Sequence, residues 1–352
     1  MFVPETKRRD ARRVATAVAI AAVALTLIAG ALAAPQPGPT PEPASHGPFG
    51  YPVKPFHREH PVRGYFGDPR TLFYSPPTLD GVMSGRGSFS FHQGVDISAP
   101  DGTAVYPVES GVVTEVTPTW VHVDSGNGRA FEYWHIKPLV HRGEHVEVDQ
   151  TVLGQILRPA EHVHLTEFES GVVVNPLAPG RLTPFTDTTA PRVQSIYVRG
   201  ADAESNLLPG FLRGRIQIVA EAYDRPTMPA PGIWNGLPTA PAVLTWRIQR
   251  PNGKIVLPER VAIDFHTTLP PNSSFWTFYA RGTYQNMCVF GPHYSYMESG
   301  QYLFKLTPEP FDTRTVPDGV YDLVVTATDM RGNRGTLAER ITVHNRPGWI
   351  GS

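Results

Sequence analysis

Between Tyr51 and Gly180 the sequence offers short β-forming runs and no amphipathic helix, and that pattern restricts the region to sheets. The runs are "GVVTEV", "WVHVDS", "AFEYWHI", "HVEV", "TVLGQIL" and "HVHLTEF". Each is rich in Val, Ile, Thr or aromatic residues and is too short for a stable helix. Gly, Pro and Asp separate them, and the whole chain carries 37 Pro and 32 Gly in 352 residues. Such punctuation suits an all-β, loop-rich fold of antiparallel sheets. One cysteine, Cys288 in "NMCVF", excludes an intrachain disulfide and reads as a small buried apolar residue.

The length implies two or three domains. Residues 1–34 read as a signal peptide or membrane anchor. "KRRDARR" carries five positive charges and one negative, and an uncharged run follows from Val14 to Ala33. That run ends on Ala31-Leu32-Ala33, a small-x-small signal for cleavage. The positive flank directs the rest of the chain outward, and about 20 apolar residues would span a bilayer if uncut. Export is therefore expected, either secreted or anchored. Residues 35–50 are a Pro-rich linker, semi-rigid and extended. Residues 51–180 form the first folded domain and 181–192 a second linker. Residues 193–347 read as an immunoglobulin-like β-sandwich. Its clearest text is "VPDGVYDLVVTATDMRGNRG", where Tyr321, Leu323, Val325 and Ala327 alternate with polar residues between two turns. The formal net charge of -1 offers no global attraction to nucleic acid.

Histidine marks the chemistry. Ten of the thirteen lie between His46 and His164, inside a nearly neutral chain. In "HQGVDIS", His92 and Asp96 have three residues between them, a nitrogen and a carboxylate that zinc accepts. In "EHVHLTEF", His162 and His164 are two apart, so on a strand they share a face. Either pair alone is more often a solvated loop or an ordinary strand surface than a metal site. His135 in "EYWHIKP" reads alone as a strand histidine. "HRGEH", His141 to His145, fits the H-x-x-E-H metal pattern, but that chemistry needs a helix. Gly143 within it and Pro138 before it favour a hairpin turn.

Taken in order, three stretches resemble the lysostaphin-type, or LytM-type, zinc metallopeptidases of the peptidoglycan endopeptidase family. They are "HQGVDISAPDGTAVYPVESGVV", "YWHIKPLVHRGEHVEVDQTVLGQI" and "HVHLTEFESGVVVNPL". The resemblance covers about residues 62 to 178. It implies one zinc ion bound by His92, Asp96 and His164, with His135 and His162 as catalytic histidines. The chain departs in having Ala160 and Glu161 where the family often has a glycine, "HLTEF" after the second histidine, and a longer stretch before His92. Three protein ligands leave a fourth position for water, a catalytic arrangement. Zinc lowers the pKa of a bound water toward about 7. No zincin-type glutamate is at hand, so His135 and His162 are the groups able to move protons near neutrality.

The resemblance and the export signal together imply an exported zinc endopeptidase acting on peptide bonds of bacterial cell-wall peptidoglycan. A rival expectation is a non-enzymatic envelope regulator that binds and activates another wall hydrolase. The C-terminal module is expected to bind wall polymer or a partner protein, or to brace the catalytic domain.

Overall fold

The computed structural model describes residues 46–73, 86–201, 206–290 and 295–346. The expected apolar segment Val14 to Ala33 lies outside them. Among the described residues no helix is long and apolar enough to cross a membrane. The fold is nearly all β, as the sequence pattern requires. Among the described residues the helical structure is one α-turn, Phe275–Phe278, and short 3-10 turns.

The main sheet of the first half is antiparallel throughout. Its strand order is Val62–Gly64, Val95–Ser98, His162–Glu169, Arg129–Trp134, Trp120–Gly126, Gly111–Val116 and His145–Val146. The last residues of His162–Glu169 also pair with Val172–Val174. The period-2 pattern explains the position of the long strand His162–Glu169. Val163 and Leu165 are completely buried, while His162 and His164 emerge on the opposite face. Val95, Ile97, Val121, Val123, Phe131 and Tyr133 complete that apolar side, all fully buried. Truncating one of them, Leu165→Ala for instance, costs roughly 2–5 kcal/mol.

Two larger antiparallel sheets dominate the C-terminal half. In one, Arg215–Tyr223 pairs with Arg192–Gly200, Leu303–Lys305 and Phe311–Asp312. The other runs Ile255–Asp264, Val243–Gln249, Gly319–Thr328, Arg334–Val343. Val198 and Ile218 from the first meet Leu244, Trp246, Leu323, Val325 and Ile341 from the second in one core. The alternation read from "VYDLVVTAT" is realised: Tyr321, Leu323, Val325 and Ala327 are buried.

The two halves share their cores. Phe66 and Phe91 belong to the C-terminal core, and Ala242, Val243 and Met330 to the N-terminal one. Polar ties cross the same seam. Tyr279 Oη donates to the Gly67 carbonyl at 2.7 Å, and Ala240 N donates to Asp68 Oδ1 at 2.6 Å. Within residues 46–61, Phe49, Tyr51 and Val53 are buried in the core. Cys288 is buried beside Thr71.

Candidate active site

Register brings the site together. Asp96 and His164 are direct neighbours across paired strands, and Gly64 faces Asp96 from the other side. His164 also stands opposite Trp134, and His135 follows at the end of that strand. His92 sits in the loop leading into Val95–Ser98. That loop needs Gly94, because a Cβ there would collide with the Leu165 carbonyl and crowd His164 Nε2.

The three atoms of the expected donor set converge. His92 Nε2 lies 2.7 Å from His164 Nδ1 and 3.0 Å from Asp96 Oδ1, and His164 Nδ1 lies 3.1 Å from Asp96 Oδ1. Each ring is oriented from behind. His92 Nδ1 is 2.9 Å from the Tyr65 carbonyl, an obligate acceptor, so Nδ1 carries the proton. Burial drives His92 down to about 3, so the ring is neutral and Nε2 presents a lone pair to the centre. His164 Nε2 bonds Thr166 Oγ1 at 2.9 Å. Asp96 uses its second oxygen differently: Arg70 Nη2 donates to Oδ2 at 2.7 Å. Burial opposes the Asp96 charge, but the nearby imidazoles and Arg70 outweigh it and hold the carboxyl well below its usual range.

These contacts are the test of fit for a metal. Two electron-rich atoms, His92 Nε2 and Asp96 Oδ1, face each other across 3.0 Å with His164 Nδ1 close to both. At most one proton, on His164 Nδ1, can serve all three contacts. A divalent cation satisfies all of them at once. Two nitrogens and one carboxylate oxygen, each braced by an outer partner, are a donor set suited to zinc. The residues can therefore hold a metal ion.

His162 and His135 flank this set. Their rings lie 4.5 Å apart between centroids, and His135 lies 6.4 Å from His164. His162 Nε2 is 3.4 Å from Asp96 Oδ1. Its Nδ1 is 2.6 Å from the Ala160 carbonyl and 2.7 Å from Arg63 Nη2, which itself donates to that carbonyl. A proton on Nδ1 goes to Ala160 and leaves Nε2 free to accept. A lone pair on Nδ1 accepts from Arg63 and leaves Nε2 as a donor. His135 holds a left-handed backbone, φ +64°, uncommon for a residue with a side chain. Surrounding protein, and then the charge of His162, push His135 down to about 4.

The cluster opens into a cleft of about 610 Å³. Trp134 and Phe168 line it from the sheet, and Trp234, Gln285 and Asn286 line it from the C-terminal half. Trp234 lies over the Arg63 guanidinium, 3.9 Å from Cζ to the ring centroid. None of residues 46–61 reaches the cleft. "HRGEH" forms a turn, with Gly143 at φ +89° and both His141 and His145 largely exposed.

All five histidine and aspartate positions read from the sequence thus meet in one place. The reading missed Arg63, Arg70, the Tyr65 carbonyl and Thr166. Thr166 had a signal, since it shares the strand face of His162 and His164. The others come from distant positions with no local signature.

Residues 90–176 match the model of peptidase family M23, so the chain carries a domain of that family. No curated protein matches the chain. Among solved structures, a zinc-containing peptidase from Vibrio cholerae is 22% identical over 36% of this chain and 39% of its own, with a TM-score of 0.28. This chain therefore spans about two fifths of that protein. The M23 metalloprotease pseudoalterin, described as deep-sea, is 18% identical over 38% of this chain and 78% of its own, with a TM-score of 0.23. The catalytic domain of a prophage-encoded M23 protein from Enterococcus faecalis is 21% identical over 35% and 95%, with a TM-score of 0.24.

Proposed function

We propose that this protein is an exported zinc metalloendopeptidase that hydrolyses peptide bonds in bacterial cell-wall peptidoglycan. The observation that carries the reading is the convergence of His92, Asp96 and His164 beside two further histidines at the floor of an open cleft. The M23 domain supports the peptidase class, and the basic flank with its apolar run supports export.

His92 Nε2, Asp96 Oδ1 and His164 Nδ1 would hold the zinc ion. When bound there, zinc supplies Lewis acidity and activates water for attack on the peptide carbonyl. The chain's own residues do the rest. Tyr65, Thr166 and Arg70 fix the three donors. His135 and His162, ring against ring, relay a proton from the attacking water to the departing amine. Trp134 and Trp234 offer broad faces on either side of the cleft against which an extended peptide can lie. The C-terminal half, proposed as an immunoglobulin-like module, braces the peptidase half and completes its cleft.

The complete donor set argues against the regulator reading. The test is metal analysis of the purified protein together with a muropeptide digest of isolated wall. About one zinc per chain and new peptide termini are expected. Intact muropeptides after incubation with fully zinc-loaded protein would exclude the enzyme.

A further inference from the structure

A second donor cluster lies away from the cleft, where the halves join. Asp187 is in the segment entering the C-terminal half, Asp224 directly follows the strand Arg215–Tyr223, and Asp329 directly follows Gly319–Thr328. One carboxylate oxygen from each lies within 4.8 Å of the other two. They are 5%, 1% and 1% exposed.

Their hydrogen bonds leave specific oxygens over. Asp329 uses both, accepting from Arg331 N, Asn333 N and Asn333 Nδ2. Asp187 Oδ1 accepts from Thr189 N and Thr227 Oγ1, and Asp224 Oδ1 from Arg225 N. Asp187 Oδ2 and Asp224 Oδ2 are buried without a hydrogen-bond partner. Two neutral side chains of the same region are in the same condition. The Tyr65 hydroxyl, on a residue 3% exposed, has no partner, and the charges acting most on it are those of Asp187 and Asp224. Thr239 Oγ1 also has none, although its backbone is paired to Asp224 in both directions.

The neighbouring cation does not resolve this. Arg331 gives its N–H groups to the carbonyls of Phe185, Leu177 and Met330, and it makes no ion pair with the three carboxylates. Burial, and then the charge of Asp187, push Asp224 up to about 9, so the chain alone does not stabilise three ionised carboxylates there.

We propose that Asp187, Asp224 and Asp329 form a buried calcium site that clamps the linking segment and two C-terminal turns to the peptidase half. Donors that are all oxygen select a hard cation over zinc. The enclosure selects calcium over magnesium. Magnesium keeps several waters, and the three carboxylates are almost wholly enclosed by protein. The clamp reaches the first site through Tyr65, whose hydroxyl lies in the field of Asp187 and Asp224 while its carbonyl holds His92 Nδ1.

The experiment is calcium binding by equilibrium dialysis and thermal melting of the full-length protein, with zinc held constant. Wild type and His164→Ala should each bind one calcium and gain about 5 °C in Tm at saturation. Asp224→Asn should lose both effects. Retention in His164→Ala separates this site from the zinc reading. No bound calcium in wild type, or an equal gain in Asp224→Asn, would overturn the proposal in favour of a proton shared among the carboxylates. If Asp224→Asn does not fold, terbium on wild type decides. Tyrosine-sensitised emission that calcium displaces supports the site, and its absence overturns it.

Discussion

The His92/Asp96/His164 centre and the Asp187/Asp224/Asp329 centre are each built from three residues that the fold gathers from separate segments. They differ in donor type and in access. The first offers two nitrogens and one oxygen at the floor of a cleft of about 610 Å³. The second offers oxygens alone and is sealed. The first has two extra histidines within ring-contact distance, and the second has none among the described residues. An open, mixed donor set with proton carriers beside it can do chemistry on a bound peptide. A closed oxygen set can only hold parts together. Tyr65 links the two, its carbonyl bonded to His92 Nδ1 and its hydroxyl in the field of Asp187 and Asp224, so the contrast is testable from either side.

The largest effect should come from the open centre itself. Asp96→Asn removes a charged donor and leaves Arg70 with only its longer ion pair to Asp68, 3.7 Å, so zinc content should fall to background and hydrolysis with it, measured by elemental analysis and muropeptide release. Calcium binding should survive, and its loss would break the separation of the two centres. Next, His135→Ala should keep its zinc and lose about 10²–10⁴ in kcat. A change in metal content instead would move His135 into the donor set.

Arg70→Ala tests the brace behind Asp96. Outer partners of metal ligands are worth about 10–100-fold in affinity, so zinc competition against a chromophoric chelator should shift by that factor. The smallest effect should follow Trp234→Ala. The stack on Arg63 is lost, and KM should rise about 3–10-fold with kcat nearly unchanged. An unaltered KM would remove the C-terminal half from the substrate site.

Much of the open centre was legible in the sequence through the resemblance of three ordered stretches to a known family, and local spacing added only how the residues could face one another. His162 and His164 share a strand face by the period-2 rule, and Gly94 allows the turn that returns His92. The "HRGEH" turn was legible from Gly143 and Pro138 in the same way. The alternation in "VYDLVVTAT" likewise predicted the buried face of Gly319–Thr328. What stayed hidden depends on pairings across the fold. Arg70 reaches Asp96 only because their strands end at the same cleft, and Trp234 reaches Arg63 across the join of the halves. The acidic centre was equally silent, since Asp187, Asp224 and Asp329 each look like ordinary turn residues until the sheets bring their ends together.

The central claim is a division of labour within "EHVHLTEF", and one paired measurement addresses it. Zinc content and kcat are determined together for His162→Ala and His164→Ala. The account predicts that His164→Ala loses the metal and the activity, whereas His162→Ala keeps about one zinc per chain and loses about 10²–10⁴ in kcat. Equal loss of zinc in both variants, or normal turnover by zinc-loaded His162→Ala, would contradict it.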